Sequence, residues 1–256
     1  MAKKATTSKS HRRPTRKNTK SKRPVAKVSA AGRGLVARMR RRFALMIGGV
    51  LVLALLWILS YKIIPVPTTP YMRSEARVLG DVDYQWVPIE NIAPVLARSV
   101  VASEDANFCE HWGFDLGAIR AAIDEGAGRG ASTISQQVVK NAFLWHARSW
   151  PRKALEALIT PIVELTWSKR RILEVYLNIA EFDEGVFGAE AAARSYFGVG
   201  PEALTAQQAA QLAAVLPSPK LRSAGRPGPF VRRRAAQVLD GAATIKADGR
   251  SSCFED

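Results

Sequence analysis

Two glutamates and a set of cations are the side chains in this sequence best suited to do chemistry together. Glu104 lies in the run SEDANFCEHWG (residues 103–113) and Glu156 in RSWPRKALE (residues 148–156). Between them GASTISQQVVKN (residues 130–141) brings Ser132, Thr133, Gln136, Gln137 and Lys140, and Arg148, Arg152 and Lys153 stand just before Glu156. A fourth run, SKRRILEVYLN (residues 168–178), follows. A carboxylate can accept a proton from a weak nucleophile, while fixed cations stabilise a departing anion, so this combination suits transfer from a phosphate-activated donor. Lys140, Arg148 and Arg152 are the candidate phosphate-binding cations, with Lys153 beside them. Arg matches phosphate with a planar fork of donors and Lys acts as a point charge. Ser132 and Gln136 are expected to hydrogen-bond substrate, and Gln137 to serve as a brace. Asp105 points elsewhere on a helix and is expected to be a structural hydrogen-bond partner, and Glu174 lies on a helix with an apolar core face.

The elements that must position these residues are helical. Ile92, Val95, Leu96, Ser99 and Val100 recur at helical spacing and lead into Glu104. Lys169, Ile172, Leu173, Tyr176 and Leu177 share one face of the next motif helix. AEAAARSYFG stops at Gly198, TAQQAAQLAAVLP opens with the Thr205-to-Gln208 capping-box spacing, and PFVRRRAAQVL forms a last helix. Pro161 is expected to kink the helix that carries Glu156. VLGDVDYQWV (residues 78–87) is the one plausible extended piece. The expected fold class is all-α with at most a minor short-strand element.

Charge divides the chain. The formal net charge of +16 is matched by 16 Lys and Arg in residues 1–42, where no Asp or Glu occurs, and the remainder is formally neutral. Such an arm, poor in apolar residues, is expected to be disordered, and a neutral body argues against nucleic acid as the partner. Residues 43–61, FALMIGGVLVLALLWILSY, carry no charge; at 1.5 Å per residue they make about 28 Å of helix, enough to span a bilayer core. Arg38, Arg40, Arg41 and Arg42 precede the span, which places the arm in the cytoplasm. The expected organisation is a basic arm (1–42), an uncleaved transmembrane anchor (43–64) and an extracytoplasmic catalytic domain (65–256). Cys109 and Cys253 are far apart with no CxxC pair, so neither a disulfide framework nor a zinc ribbon is expected, and His11, His111 and His146 make no metal cage.

Taken in order, EDxxFxxHxG (104–113), GxSTIxQQ (130–137), RKxxE (152–156), KxxILExYLN (169–178) and RRxxxVL (233–239) resemble the signature of the peptidoglycan glycosyltransferases of family 51, the transglycosylase type of domain found in class A penicillin-binding proteins. The likeness covers roughly residues 75–245 and is to the monofunctional members. It implies a lysozyme-like, bilobal helical fold with a smaller lobe touching the membrane. The reaction it implies is attack by the 4-hydroxyl of lipid II on the anomeric carbon of a glycan chain held on undecaprenyl diphosphate. In that family's pattern Glu104 stands at the catalytic base and Glu156 at the second essential carboxylate. Lys140, Arg148 and Arg152 match the diphosphate-binding cations. No tightly bound cofactor is implied, although a divalent cation such as magnesium or manganese is compatible with the diphosphate. Implied partners are lipid II, the lipid-linked glycan, the membrane and proteins of cell division or cell-wall synthesis, with the chain in the bacterial inner membrane and its catalytic domain periplasmic. The competing readings are a lysozyme-like muramidase or lytic transglycosylase, neither of which needs a diphosphate clamp, and a non-catalytic scaffold of wall assembly.

Overall fold

The computed structural model describes Met1 and residues 30–126, 130–147 and 149–255. The basic arm whose disorder the composition predicts falls largely outside them, as does Arg148. The chain divides into a unit of residues 1–52 and a unit of residues 53–256. Helix α1 (Ala30–Tyr61) starts well before the apolar run, because Ala, Leu, Met and Arg are strong helix formers whatever their polarity. Residues 36–61 are long and apolar enough to cross a membrane.

In the second unit side-chain caps set where the helices begin. Thr69 accepts from Met72 N at 3.1 Å to open α2 (Pro70–Leu79), and Asp115 accepts from Ala118 N at 2.8 Å to open α4 (Leu116–Asp124). Helix α3 (Pro94–Glu104) starts on a proline, whose fixed φ suits a first turn, and ends on Glu104. Capping boxes open α5 (Ile134–Phe143), through Thr133 and Gln136, and α9 (Ala206–Val215), through Thr205 and Gln208. Ser149 and Ser168 cap α6 (Trp150–Thr166) and α7 (Lys169–Ile179). Helix α8 (Gly188–Phe197) stops at Gly198, which is left-handed at φ 67°, and α10 (Pro229–Ala247) is the last. Pro161 lies inside α6, whose assigned span continues past it to Thr166.

These helices form two packed groups. Helices α3, α9 and α10 contact one another, and α5 packs on both α6 and α7. The core that joins them includes Leu96 and Val100 of α3, Val138 and Val139 of α5, Leu173 and Leu177 of α7 and Leu212 of α9, all fully buried. Burying such side chains contributes about 1.5–3 kcal/mol each. The last residue of α3 and the partly buried edge of α5 that carries Gln137 and Lys140 therefore sit on rigid supports.

Extended structure is scarcer and more dispersed than the sequence suggests. A three-stranded sheet of order β1-β3-β2 joins β1 (Asp83–Tyr84), inside the expected stretch, to β2 (Glu181–Asp183) and β3 (Val186–Phe187). Strands β1 and β3 are parallel, and β2 and β3 antiparallel. Segments of two or three residues carry too little alternation to announce themselves. The turn between β2 and β3 places Gly185 at φ 73°, and Gly188 at φ 86° lies so near α7 that a Cβ would meet Asn178 O at 2.5 Å.

The cysteines correct the sequence reading: Cys109 and Cys253 form a disulfide. Helix α10 packs along α3, so the segment after α10 arrives beside the loop after α3. Separation along the chain says nothing against such a meeting.

Candidate functional site

Glu104 ends α3 on the wall of a cleft of about 600 Å³, which Ser103, Ser132, Thr133, Gln137, Pro217 and Arg234 also line. Gln137 Nε2 donates to Glu104 Oε2 at 3.0 Å, and Tyr176 OH donates to Gln137 Oε1 at 3.1 Å, which fixes the amide's orientation. Burial pushes the Glu104 carboxyl above its ordinary value. Gln137, Arg234, Lys140 and Ser103 act in the opposite sense without cancelling it.

The adjoining residue holds the loop. Asp105 Oδ2 accepts from Ile134 N at 2.9 Å, and Asp105 Oδ1 lies 2.8 Å from His111 Nε2, so this carboxylate is used structurally. Gly113 closes the motif at φ 83°, where a Cβ would meet Thr160 Cγ2 at 2.6 Å. Only glycine fits such a backbone against α6.

The second carboxylate, Glu156, is 2% exposed. Arg152 Nη1 donates to its Oε2 at 2.7 Å, and Lys153 Nζ donates to its Oε1. Lys153 Nζ also reaches Ser132 Oγ at 3.4 Å, which ties α6 to the rim of the Glu104 cleft. Lys140 feels both carboxylates and both neighbouring cations. Burial lowers its pKa first, Glu156 and Glu104 oppose the shift, and Arg152 and Lys153 reinforce it. The charges of two carboxylates on different helices thus both act on one ammonium group. Lys140 opens on a second cavity of about 360 Å³, lined also by Tyr71, Asn141 and His146, whose wall shares Gln137 and Pro217 with the first.

Five of the candidate residues lie in this one region: Glu104, Ser132, Lys140, Arg152 and Glu156. Of the adjacent glutamines, Gln136 departs from the expectation and Gln137 braces Glu104. Gln136 is 5% exposed and its Oε1 accepts from Thr133 N at 3.1 Å, closing the capping box of α5, so it faces inward and is no substrate contact. Gln137 is the one beside Glu104. Arg234 also stands on the cleft, with Nη2 donating to Ser103 O at 3.0 Å, a place the sequence reading did not give it. Its signal was available, since Arg234 shares a face of α10 with buried Val231, Ala235 and Val238. Among the described residues no group of three or more His, Cys, Asp or Glu is placed to hold a metal ion. Both carboxylate oxygens of Glu156 are taken up by Arg152 and Lys153.

Comparison with known proteins agrees with this geometry. Residues 73–243 match the family model described as Transglycosylase. A "Biosynthetic peptidoglycan transglycosylase" of Jannaschia sp. (strain CCS1) is 60% identical over 235 residues, covering 92% of this chain and 97% of the relative. Proteins with the same name from Rhodospirillum centenum and Pseudomonas putida (strain KT2440) are 46% and 50% identical, over 87% and 80% of this chain and 98% and 89% of their own lengths. The matched span contains both carboxylates, the cations between them and Arg234, and on that footing the chain belongs to the transglycosylase family.

Proposed function

We propose that the protein polymerises peptidoglycan glycan strands, joining lipid II disaccharide-peptides by β-1,4 bonds with release of undecaprenyl diphosphate. The observation that carries this reading is that the cleft lined by Glu104 and the cavity lined by Lys140 share the wall formed by Gln137 and Pro217. A transferase needs two substrates side by side, and the two cavities abut through Gln137 and Pro217. The acceptor's 4-hydroxyl lies at Glu104, which takes its proton as the oxygen attacks. The donor's diphosphate lies toward Lys140, Arg152 and Lys153, which stabilise it as the bond to the anomeric carbon breaks. Attack opposite that leaving group inverts the α-linked donor in one displacement through an oxocarbenium-like state.

Glu156 acts by holding Arg152 and Lys153 in place. Arg148 joins this set on the family resemblance alone. A divalent ion enters, on this reading, only as a counter-ion of the diphosphate, and no step passes through it.

Helix α1 supplies a single-pass anchor in the membrane that carries the lipid-linked substrate. Arg38, Arg40, Arg41 and Arg42 before the apolar run support a cytoplasmic N-terminus, with the enzyme in the inner membrane and its domain in the periplasm. The Cys109–Cys253 disulfide supports the same side, because such bonds persist in oxidising compartments.

The deciding experiment supplies lipid-linked disaccharide to the purified chain, to Glu104→Gln and to Glu156→Gln, and separates the products by length. Long glycan from the unmodified chain alone, with added polymer left uncut, is the expected result. Cleavage of polymer establishes a lytic enzyme, and equal products from the Glu104→Gln protein establish that the cleft is not catalytic.

A further inference from the structure

The segment after α10 lies beyond residues 73–243 of the family match, yet it grips the loop that follows Glu104. Cys253 is bonded to Cys109, and Arg250 Nη1 donates to Ala106 O at 3.1 Å. Phe254, 2% exposed, sets its ring 6.3 Å from that of fully buried Phe108. From the far side Arg98 Nη1 meets Glu255 Oε1 at 2.6 Å, and Arg170 Nη1 donates to Phe254 O at 2.9 Å. The loop's inner flank is held through Asp105 by Ile134 N, and Lys169 Nζ donates to His111 O at 2.7 Å. Residues 105–111 are therefore clamped between the start of α5 and the tail, and Glu104 is the residue immediately before them.

We propose that residues 248–255 form a covalently fastened strap that keeps Glu104 at its working position beside Gln137, making Cys109, Cys253 and Phe254 positioning residues for glycosyl transfer. The strap touches neither cavity, so it acts through the loop. A disulfide that only restricted the unfolded chain would stabilise the fold wherever it lay. Here it ties down the five residues that follow a proposed general base. Such a base must stay within about 2.6–3.2 Å of the proton it removes, and a misplacement of about 1 Å can cost about 10²-fold in rate. The proposal rests on Glu104 being that base.

The test measures kcat and KM on lipid-linked disaccharide with the full chain in detergent, well below its Tm. Samples are the oxidised protein, the same protein after a small dithiol, Cys109→Ser, Cys253→Ser, the double variant, and Phe254→Ala with the disulfide intact. In the reduction the dithiol gives two electrons and two protons to the paired sulfurs, leaving two thiols and becoming a disulfide itself. Expected is a loss in kcat of about tenfold at unchanged KM. It should be the same in reduced protein, both single variants and the double variant, and smaller in Phe254→Ala. The dithiol should have no effect on the double variant. Unchanged kcat in all of them, with only Tm lowered, overturns the strap and leaves the assigned activity intact. No glycan from the oxidised protein overturns the activity and the strap with it. If the serine variants fail to fold, reduction of the folded wild type decides on the same criteria.

Discussion

Helices α6 and α7 read alike in sequence, each opening on basic residues and carrying a glutamate that pairs with Arg, but their polar atoms end in different places. On α7 the partners are mostly fixed backbone. Arg171 Nε donates to Tyr61 O at 2.9 Å and Nη2 to Ile64 O at 2.5 Å, and Glu174 Oε1 accepts from Ile89 N at 3.2 Å. Asn178 accepts from Val87 N and donates to Val87 O, each at 2.8 Å. On the first turns of α6 one buried carboxylate faces Arg152 and Lys153, with Lys140 close by. The first network consumes its own hydrogen-bonding capacity and holds the chain together. The second leaves positive charge unspent beside a cavity, which is what an anionic substrate requires.

Substitutions should separate the two helices by what they damage. The largest effect is expected at the cleft itself: Glu104→Gln lowers kcat by about 10²–10⁴-fold, the usual contribution of a positioned general base, while the melting curve stays cooperative. A residual rate within about tenfold of wild type would remove Glu104 from the mechanism. Next comes Lys140→Met, expected to cost about 10²–10³-fold in kcat, as loss of one charge-stabilising donor does. Because burial already disfavours this ammonium, the same change should leave stability unchanged or improved, measured by urea unfolding.

Much of this arrangement was legible beforehand, for identifiable reasons. The helices were, because their caps and apolar periods are local: Thr205 and Gln208 announce α9, and Gly198 stops α8. Glu104, Ser132, Lys140 and Glu156 were legible as chemistry because few other polar side chains cluster so densely. Gln136 was misread although the rule that corrects it is the one that locates α9, since Thr133-x-x-Gln136 has the same capping-box spacing. The disulfide depends on α10 lying against α3, a tertiary fact with no local trace, whereas Arg234 had a local signal in the apolar face it shares and was passed over. Of the sheet only β1 was legible, inside residues 78–87, because two of its strands pair only two residues each.

On α7 the expected damage is to the fold. Asn178→Ala leaves the buried N–H and C=O of Val87 without their side-chain partners, a cost of about 1–3 kcal/mol for each unsatisfied group. Denaturant unfolding should show that loss, while kcat of the folded fraction stays within about twofold, a margin that corresponds to only about 0.4 kcal/mol in the barrier. A collapse of kcat at unchanged stability would place Asn178 in the site and erase the contrast between the helices.

The finest test is proton linkage at Glu104. A general base works ionised, so kcat/KM should rise with pH through a pKa above the ordinary glutamate value, since burial raises it. Gln137 and Lys140 from α5, Arg234 from α10 and neighbouring Ser103 all favour the carboxylate. Gln137→Ala or Arg234→Ala should therefore move the acidic limb further up in pH, and a shift downward would contradict the assigned cause. Stability carries the complementary sign. A carboxyl that holds its proton more tightly folded than unfolded adds stability below the unfolded pKa, and that stability is lost as pH rises through the folded one. At neutral pH the ionised Glu104 is thus a cost to the fold, so Glu104→Gln should raise Tm at pH 7. The gain should disappear near about pH 4, where the native carboxyl is already protonated. A gain in stability paired with a loss of catalysis at one position is what distinguishes a group kept for its reactivity from Asn178, whose removal should lower stability and leave turnover alone.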